Sequence, residues 1–376
     1  MKKIRIIILS LLLFILLSPN AKAVEDEFFK EQYDALGVDE LLESLDDETL
    51  EMLEELGITE IDFDNLFNVT PKRIFSLILD IIKGKADSPI KIFATVSIII
   101  ILFSIIESLF PKGEKLRLTI SSVSILICTS ILAKPIFESV SRGMSVIEAS
   151  SNLMLVFVPV FVAVVSVSGN PMTAMSYNSL ILAAAQTVSQ TANYFIKPCV
   201  AIFFALGLTS SVSGEFNFRQ LANEIKKNAT MVLSFISTMF FSFLSLKGAL
   251  ANASDSMGAK GIKFILSSFI PVVGGAISEG YSSLVGSLSL LKGVIGGFGI
   301  SAVALINIPV IIELLIWTVV LRFASAISAA LKVDSLSDLF KIIADSTTLI
   351  NVVVILNCVI LIISTGLLML LKGGGT

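Results

Sequence analysis

The stretch from Lys260 to Gly299, KGIKFILSSFIPVVGGAISEGYSSLVGSLSLLKGVIGGFG, admits few folds. It is apolar enough to enter a membrane, yet Pro271, Gly274 and Gly275 lie near its centre, and Lys260, Lys263, Glu279 and Lys292 are scattered through it. A proline inside a helix removes a backbone donor and clashes with the preceding turn, and glycine adds no side-chain packing. A helix broken in this way persists in lipid only where protein or a water-filled cavity satisfies the freed carbonyls. The segment is therefore expected to be enclosed by other helices. Two readings stay open: a kinked packing helix with small residues at its contacts, or a pathway or binding element.

The remainder of the chain supports a membrane setting. Of 376 residues, 55% are hydrophobic and 15% charged, against about 25% charged in soluble domains. Charge is segregated along the chain. Between Glu25 and Asp64 there are 17 acidic residues and one basic residue, Lys30, whereas Asn65 onward holds 14 acidic and 22 basic residues. An acidic head thus precedes a basic membrane body. The absence of histidine excludes histidine-ligated zinc and Ser-His or Cys-His dyads. Cys128, Cys199 and Cys358 lie far apart in apolar runs and read as small core residues. The chain contains no G-x-x-x-x-G-K-[ST] phosphate loop, so an ATP-driven step would come from a partner. No cofactor and no metal site are expected.

Residues Met1–Ala23 have the form of a secretory signal. Lys2, Lys3 and Arg5 precede an apolar core, Pro19 ends it, and Ala21-Lys22-Ala23 fits a cleavage site. The chain beyond this signal is then expected to begin outside the cytoplasm. Over 24–70, Leu41, Leu42, Leu45, Leu50, Leu53 and Leu56 recur at helical spacing, with Gly57 as a stop, which predicts short amphipathic helices. Its acidic face is either plainly solvated or a docking surface. Residues 71–89 set Lys72, Arg73, Lys83 and Lys85 against Ile74, Leu77, Ile78, Ile81 and Ile82, as at a lipid headgroup surface. The first span is expected over 90–110 and the second over 118–133, with 134–150 lying at the interface.

The rest of the chain, within the membrane domain 90–376, reads as a candidate internal repeat, about 151–248 and 263–371. Pro159 and Pro198 answer Pro271 and Pro309, and Leu221, Ile225 and Thr230 answer Leu339, Ile343 and Thr348. Four apolar segments fall in each copy, about 151–168, 178–196, 198–214 and 229–246, then 263–279, 283–306, 308–330 and 346–371. The expected fold is all-α and polytopic, with about eight to ten membrane segments. Parallel copies place the loop of Arg219, Lys226 and Lys227 and the loop of Lys332 and Lys341 together on the cytoplasmic side. A re-entrant Pro271 segment would instead reverse the C-terminus.

Charges inside spans are functional candidates because they are costly in hydrocarbon. Here they are Glu107, Glu279, Glu313 and Arg322. Glu313 and Arg322 are separated by about 13 Å along a helix axis, which favours opposite ends of one span over a pair. Gly293, Gly296, Gly297 and Gly299 form the densest glycine cluster, and Gly293 and Gly297 have the spacing that lets helices approach closely.

The signal, the acidic head and the body containing KFILSSFIPVVGG followed by Lys292 and Gly296 together resemble the stage III sporulation protein AE family of endospore-forming Firmicutes. The resemblance rests on Lys263, Pro271, Gly274, Gly275 and Lys292 and transfers no catalytic residue. It implies a subunit of the stage III A complex in the mother-cell membrane facing the forespore. The implied partners are a secretion-type ATPase, ring-forming proteins, other polytopic subunits and, indirectly, a forespore-side protein, together with membrane lipid and no nucleic acid. The implied role is a non-enzymatic platform or channel that sustains late forespore gene expression. The alternative is a permease moving a small solute through the doubled body.

Overall fold

A computed structural model describes residues 39–61, 65–66, 68–109, 114–167, 171–212, 219–269 and 274–369. The expected signal sequence and Pro271 lie outside these residues. The described residues are helical with no strand. The helices are α1 (Asp39–Glu43), α2 (Asp47–Leu56), α3 (Pro71–Leu109), α4 (Glu114–Val167), α5 (Pro171–Thr191), α6 (Lys197–Val212), α7 (Arg219–Phe269), α8 (Gly274–Ala330) and α9 (Asp334–Met369).

The two head helices form where the leucine spacing places them. Asp46 caps α2 by accepting from the Thr49 amide at 3.2 Å, and Asp47 and Glu48 occupy the first turn, where the helix dipole favours negative charge. Leu41, Leu45, Met52, Leu53 and Leu56 are buried. Gly57, at φ +86°, ends the helix in the left-handed conformation. Its amide donates to Glu54 and that of Ile58 to Leu53, both at 2.8 Å, so two end carbonyls of the helix are satisfied.

Among the described residues, five helices are long and apolar enough to cross a membrane: Pro71–Leu109, Thr119–Ser166, Gln220–Leu246, Leu290–Ala330 and Asp334–Met369. They are longer than the sequence suggests because neighbouring segments fuse. The amphipathic 71–89 stretch and the first span form one helix through Pro89. Two cations of its basic face bond the head. Arg73 donates to the Leu56 carbonyl at 3.1 Å, and Lys85 pairs with Glu48 at 3.0 Å. These two cations tie the head to α3. The second span, the 134–150 interfacial piece and the 151–168 segment likewise join in α4, a helix of 54 residues. At 1.5 Å per residue its length is about 81 Å, far beyond the roughly 30 Å hydrocarbon core.

Prolines expected to separate spans are absorbed within helices. Between α5 and α6 the chain makes a π-helical turn, Ala192–Ile196, with the Lys197 amide donating to Ala192. The wider turn accommodates Pro198, which has no amide to offer, without breaking the helix. Pro309 sits inside α8, so the expected division between 306 and 308 is absent. There α9 runs antiparallel along α8 and holds its course. Ser325 meets Ser337, Thr318 meets Thr347, and Gly366 faces Ile300.

The turn between α8 and α9 repeats the geometry that closes α2, but without glycine. Lys332 adopts φ +62°. Its amide donates to Ala329 at 3.1 Å and that of Val333 to Ser328 at 2.9 Å.

Candidate functional site

Residues 139, 142, 143, 146 and 150 fall on one face of α4 by helical spacing. That face carries small or polar side chains and lies against α8. Gly143 leaves room for the approach: a Cβ there would lie 2.7 Å from Ile350 of α9 and 3.5 Å from Leu314 of α8. The close packing brings Arg142 onto Glu313. Arg142 Nε donates to Glu313 Oε2 at 3.0 Å, and Nη2 donates to Oε1. The Ser139 hydroxyl also reaches Glu313 Oε1 and accepts from Arg142 Nη2 at 3.2 Å. The Glu313 side chain is only 5% exposed, whereas that of Arg142 is 47% exposed. The carboxylate is therefore the buried member and the guanidinium its link to water. Two parallel N–H···O bonds in a planar fork give both strength and geometric definition.

Along α8, about 9 Å from Glu313 by helical rise, Asn307 donates to the Ser150 hydroxyl at 2.8 Å and to the Val303 carbonyl at 2.7 Å. A cavity of about 190 Å³ lies beside the Arg142 guanidinium. Its walls include Asp46, Glu48 and Lys85 from the head side, together with Arg142, Ile306 and Pro309. The acidic head thus shares this cavity with Arg142. No group of three or more His, Cys, Asp or Glu side chains suited to a metal occurs among the described residues. The Arg142–Glu313 pair pins α4 to α8, beside a cavity that the head also lines.

A second charged cluster gathers three helices. Lys226 of α7 donates to Asp345 of α9 at 2.7 Å, and Arg322 of α8 lies 3.8 Å from the same carboxylate. Lys226 and Lys341, expected in loops from the sequence, lie instead within helices α7 and α9.

Glu313 and Arg322, both singled out from the sequence, do not pair with each other, in keeping with their spacing, and each pairs with another helix. Glu107 is half-buried in the last turn of α3. The Lys292 side chain is buried near the start of the apolar part of α8. Gly274 and Gly275 open α8, Glu279 lies a turn further within it, and Lys263 is near the end of α7. The close glycine contacts fall on Gly296 and Gly299 rather than Gly293 and Gly297. A Cβ on Gly296 would lie 3.0 Å from Phe161, and one on Gly299 would run into the Phe157 ring. At Gly297 it would meet nothing within 4 Å, and at Gly293 only Met369 at 4.0 Å. The helix facing this cluster is aromatic, so depressions spaced to receive Phe157 and Phe161 count for more than four-residue spacing. Sequence reasoning misses Arg142, Ser139, Asn307 and Asp345. The small-residue face around Gly143 is the available signal for the first two.

The family model for stage III sporulation protein AE matches residues 57–371. The chain belongs to the stage III sporulation protein AE family. The match starts at the glycine that closes α2, so the acidic helices α1 and α2 precede it and the ion pair lies within it. The stage III sporulation protein AE of Bacillus subtilis (strain 168) is 23% identical over 232 residues, covering 61% of this chain and 58% of that relative. No solved structure matches. A sporulation role and a multi-pass membrane body are thereby assigned to this member of the family.

Proposed function

We propose that the chain is a non-enzymatic platform or channel subunit of the stage III A complex, in the mother-cell membrane around the forespore. The observation that supports this reading is the clamped head. Lys85 and Arg73 of α3 hold α2, while Glu51, Glu54 and Glu55 remain exposed. A rigidly mounted acidic face suits docking by basic partners such as ring-forming proteins of the complex, with a secretion-type ATPase supplying energy from the cytoplasm. The test is an affinity pull-down of tagged protein from membranes of sporulating cells, with identification by mass spectrometry. Co-recovery of the ATPase and ring proteins in fixed proportion supports the platform. Recovery of the chain alone, folded, rejects it.

The permease alternative rests on one observation. Lys226 and Asp345, which meet, are 119 positions apart, close to the 118 that separate Leu221 from Leu339 in the repeat. Farther along, Phe240 and Ile360 line one cavity, so α7 and α9 run parallel, as the last helices of two copies would. Solute uptake by liposomes containing the purified protein alone distinguishes this reading.

A further inference from the structure

We propose that the pocket between Arg322 and Lys341 binds the phosphate of an anionic phospholipid headgroup. The cavity measures about 390 Å³ and lies between α8 and α9, near the turn that joins them. Its walls include Arg322, Ser325 and Ala329 of α8 with Ser337, Lys341 and Asp345 of α9. The cavity is large enough for a phosphate diester and offers two cations, with the bonded hydroxyls of Ser325 and Ser337 in its wall.

The charge balance favours an anion. Asp345 is the acidic side chain in the wall, and Lys226 already bonds it at 2.7 Å from the neighbouring helix. Arg322 stands farther off, at 3.8 Å, and its side chain is 60% exposed. It retains donors for a ligand, since a guanidinium carries five N–H groups in a fixed fork suited to phosphate. Counting Arg322, Lys341 and Lys226 against Asp345 leaves the cluster with an excess of two positive charges. The hydroxyls of Ser325 and Ser337 lie 3.0 Å apart. Ser325 also bonds the Ser337 carbonyl at 2.9 Å, which fixes the pair across the pocket.

A lipid is favoured over free phosphate because the basic pocket adjoins exposed apolar side chains. Val319 and Phe323, one turn apart on α8, are both exposed, as is Leu331 at the turn. They belong to or border the candidate span Leu290–Ala330. Charged donors next to an exposed apolar stripe match the boundary between headgroups and acyl chains. Basic pockets between transmembrane helices hold anionic headgroups in this way.

The experiment uses full-length protein purified in a neutral detergent. Thermal unfolding is measured while phosphatidylglycerol, phosphatidylcholine or inorganic phosphate is added, and native mass spectrometry counts retained lipids. Phosphatidylglycerol is expected to raise Tm and to remain bound, while phosphatidylcholine does neither. Arg322→Gln and Lys341→Gln are each expected to weaken the apparent affinity about five-fold, the effect of one basic residue at a membrane surface. Lys134→Gln, a substitution of an exposed cation outside the pocket, should leave it unchanged. Should Arg322→Gln fail to fold, Lys341→Gln decides alone. An equal response to inorganic phosphate would keep the phosphate site but assign it to a soluble anion. No response to either, or equal losses in the Lys134 control, overturns the proposal.

Discussion

Arg142 and Glu313 stand 171 positions apart in the chain and meet side-on, guanidinium to carboxylate, between α4 and α8. The pair is asymmetric, with a buried acid and a half-exposed base. Removing the base leaves an uncompensated buried charge, whereas replacing both members with apolar side chains does not. Arg142→Ala is therefore expected to destabilise the protein by about 3 kcal/mol, within the range for a broken buried pair. Arg142→Met combined with Glu313→Leu should recover most of that loss. Thermal unfolding in detergent measures both. A double variant no more stable than Arg142→Ala would mean that the pair itself, and not the orphaned carboxylate, carries the stability.

The glycine cluster gives an ordered series. The Phe157 ring is fully buried, and its centroid lies 5.2 Å from that of Phe161, so it cannot swing aside from a methyl group on Gly299. Gly299→Ala should cost about 1–3 kcal/mol by overpacking, and Phe157→Leu in the same chain should relieve part of it. At Gly297 the added Cβ meets nothing, so Gly297→Ala should be neutral or gain up to about 1 kcal/mol from helix propensity. Urea or thermal midpoints rank the variants, and the reverse order would refute the assigned contact.

The membrane body, the head helices and the buried cysteines are legible in the sequence because each is written in local pattern. Hydrophobic run length marks spans, leucine spacing marks α2, and Cys128, Cys199 and Cys358 are indeed buried. The joins between segments are not legible. Pro309 falls next to the expected division between 306 and 308, yet it lies inside a continuous helix, as do Pro135 and Pro159. Whether a proline breaks a helix depends on neighbours that hold the course on either side, and that information is tertiary. The same holds for the ion pairs. Glu313 stands out as a charge in an apolar run, but Arg142 lies in a stretch that also carries Lys134, Glu138 and Glu148, where one more cation attracts no notice.

The turn between α8 and α9 predicts a gain. Lys332 holds the left-handed conformation that Gly57 holds at the end of α2, with the same two amide bonds behind it. A side chain costs about 1–2 kcal/mol in that conformation, and glycine removes the cost but is more flexible when unfolded. Lys332→Gly should therefore stabilise the protein by about 1 kcal/mol, seen as a higher thermal midpoint. Lys332→Val should destabilise it, because a β-branched side chain fits that conformation least well.

The clamp on the head is local and can be tested locally. Lys85 and Glu48 are partly solvated, with side chains 29% and 62% exposed, so the pair should contribute only about 0.2–1 kcal/mol to global stability. Its effect on the opening of the head against α3 should be larger in relative terms. Lys85→Glu sets a third carboxylate beside Asp46 and Glu48, both of which line the same cavity. Like charges at that distance oppose docking, and only the Arg73 bond to the Leu56 carbonyl and the apolar contacts of Met52, Leu53 and Leu56 remain to resist. Hydrogen exchange of the α2 amides is expected to quicken about five-fold, the equivalent of roughly 1 kcal/mol, while the unfolding midpoint of the membrane body stays nearly fixed. Reversing both members, Lys85→Glu with Glu48→Lys, should restore slow exchange. If the single variant exchanges no faster than wild type, the Lys85–Glu48 pair does not hold the head, and the Arg73 bond and the apolar contacts do.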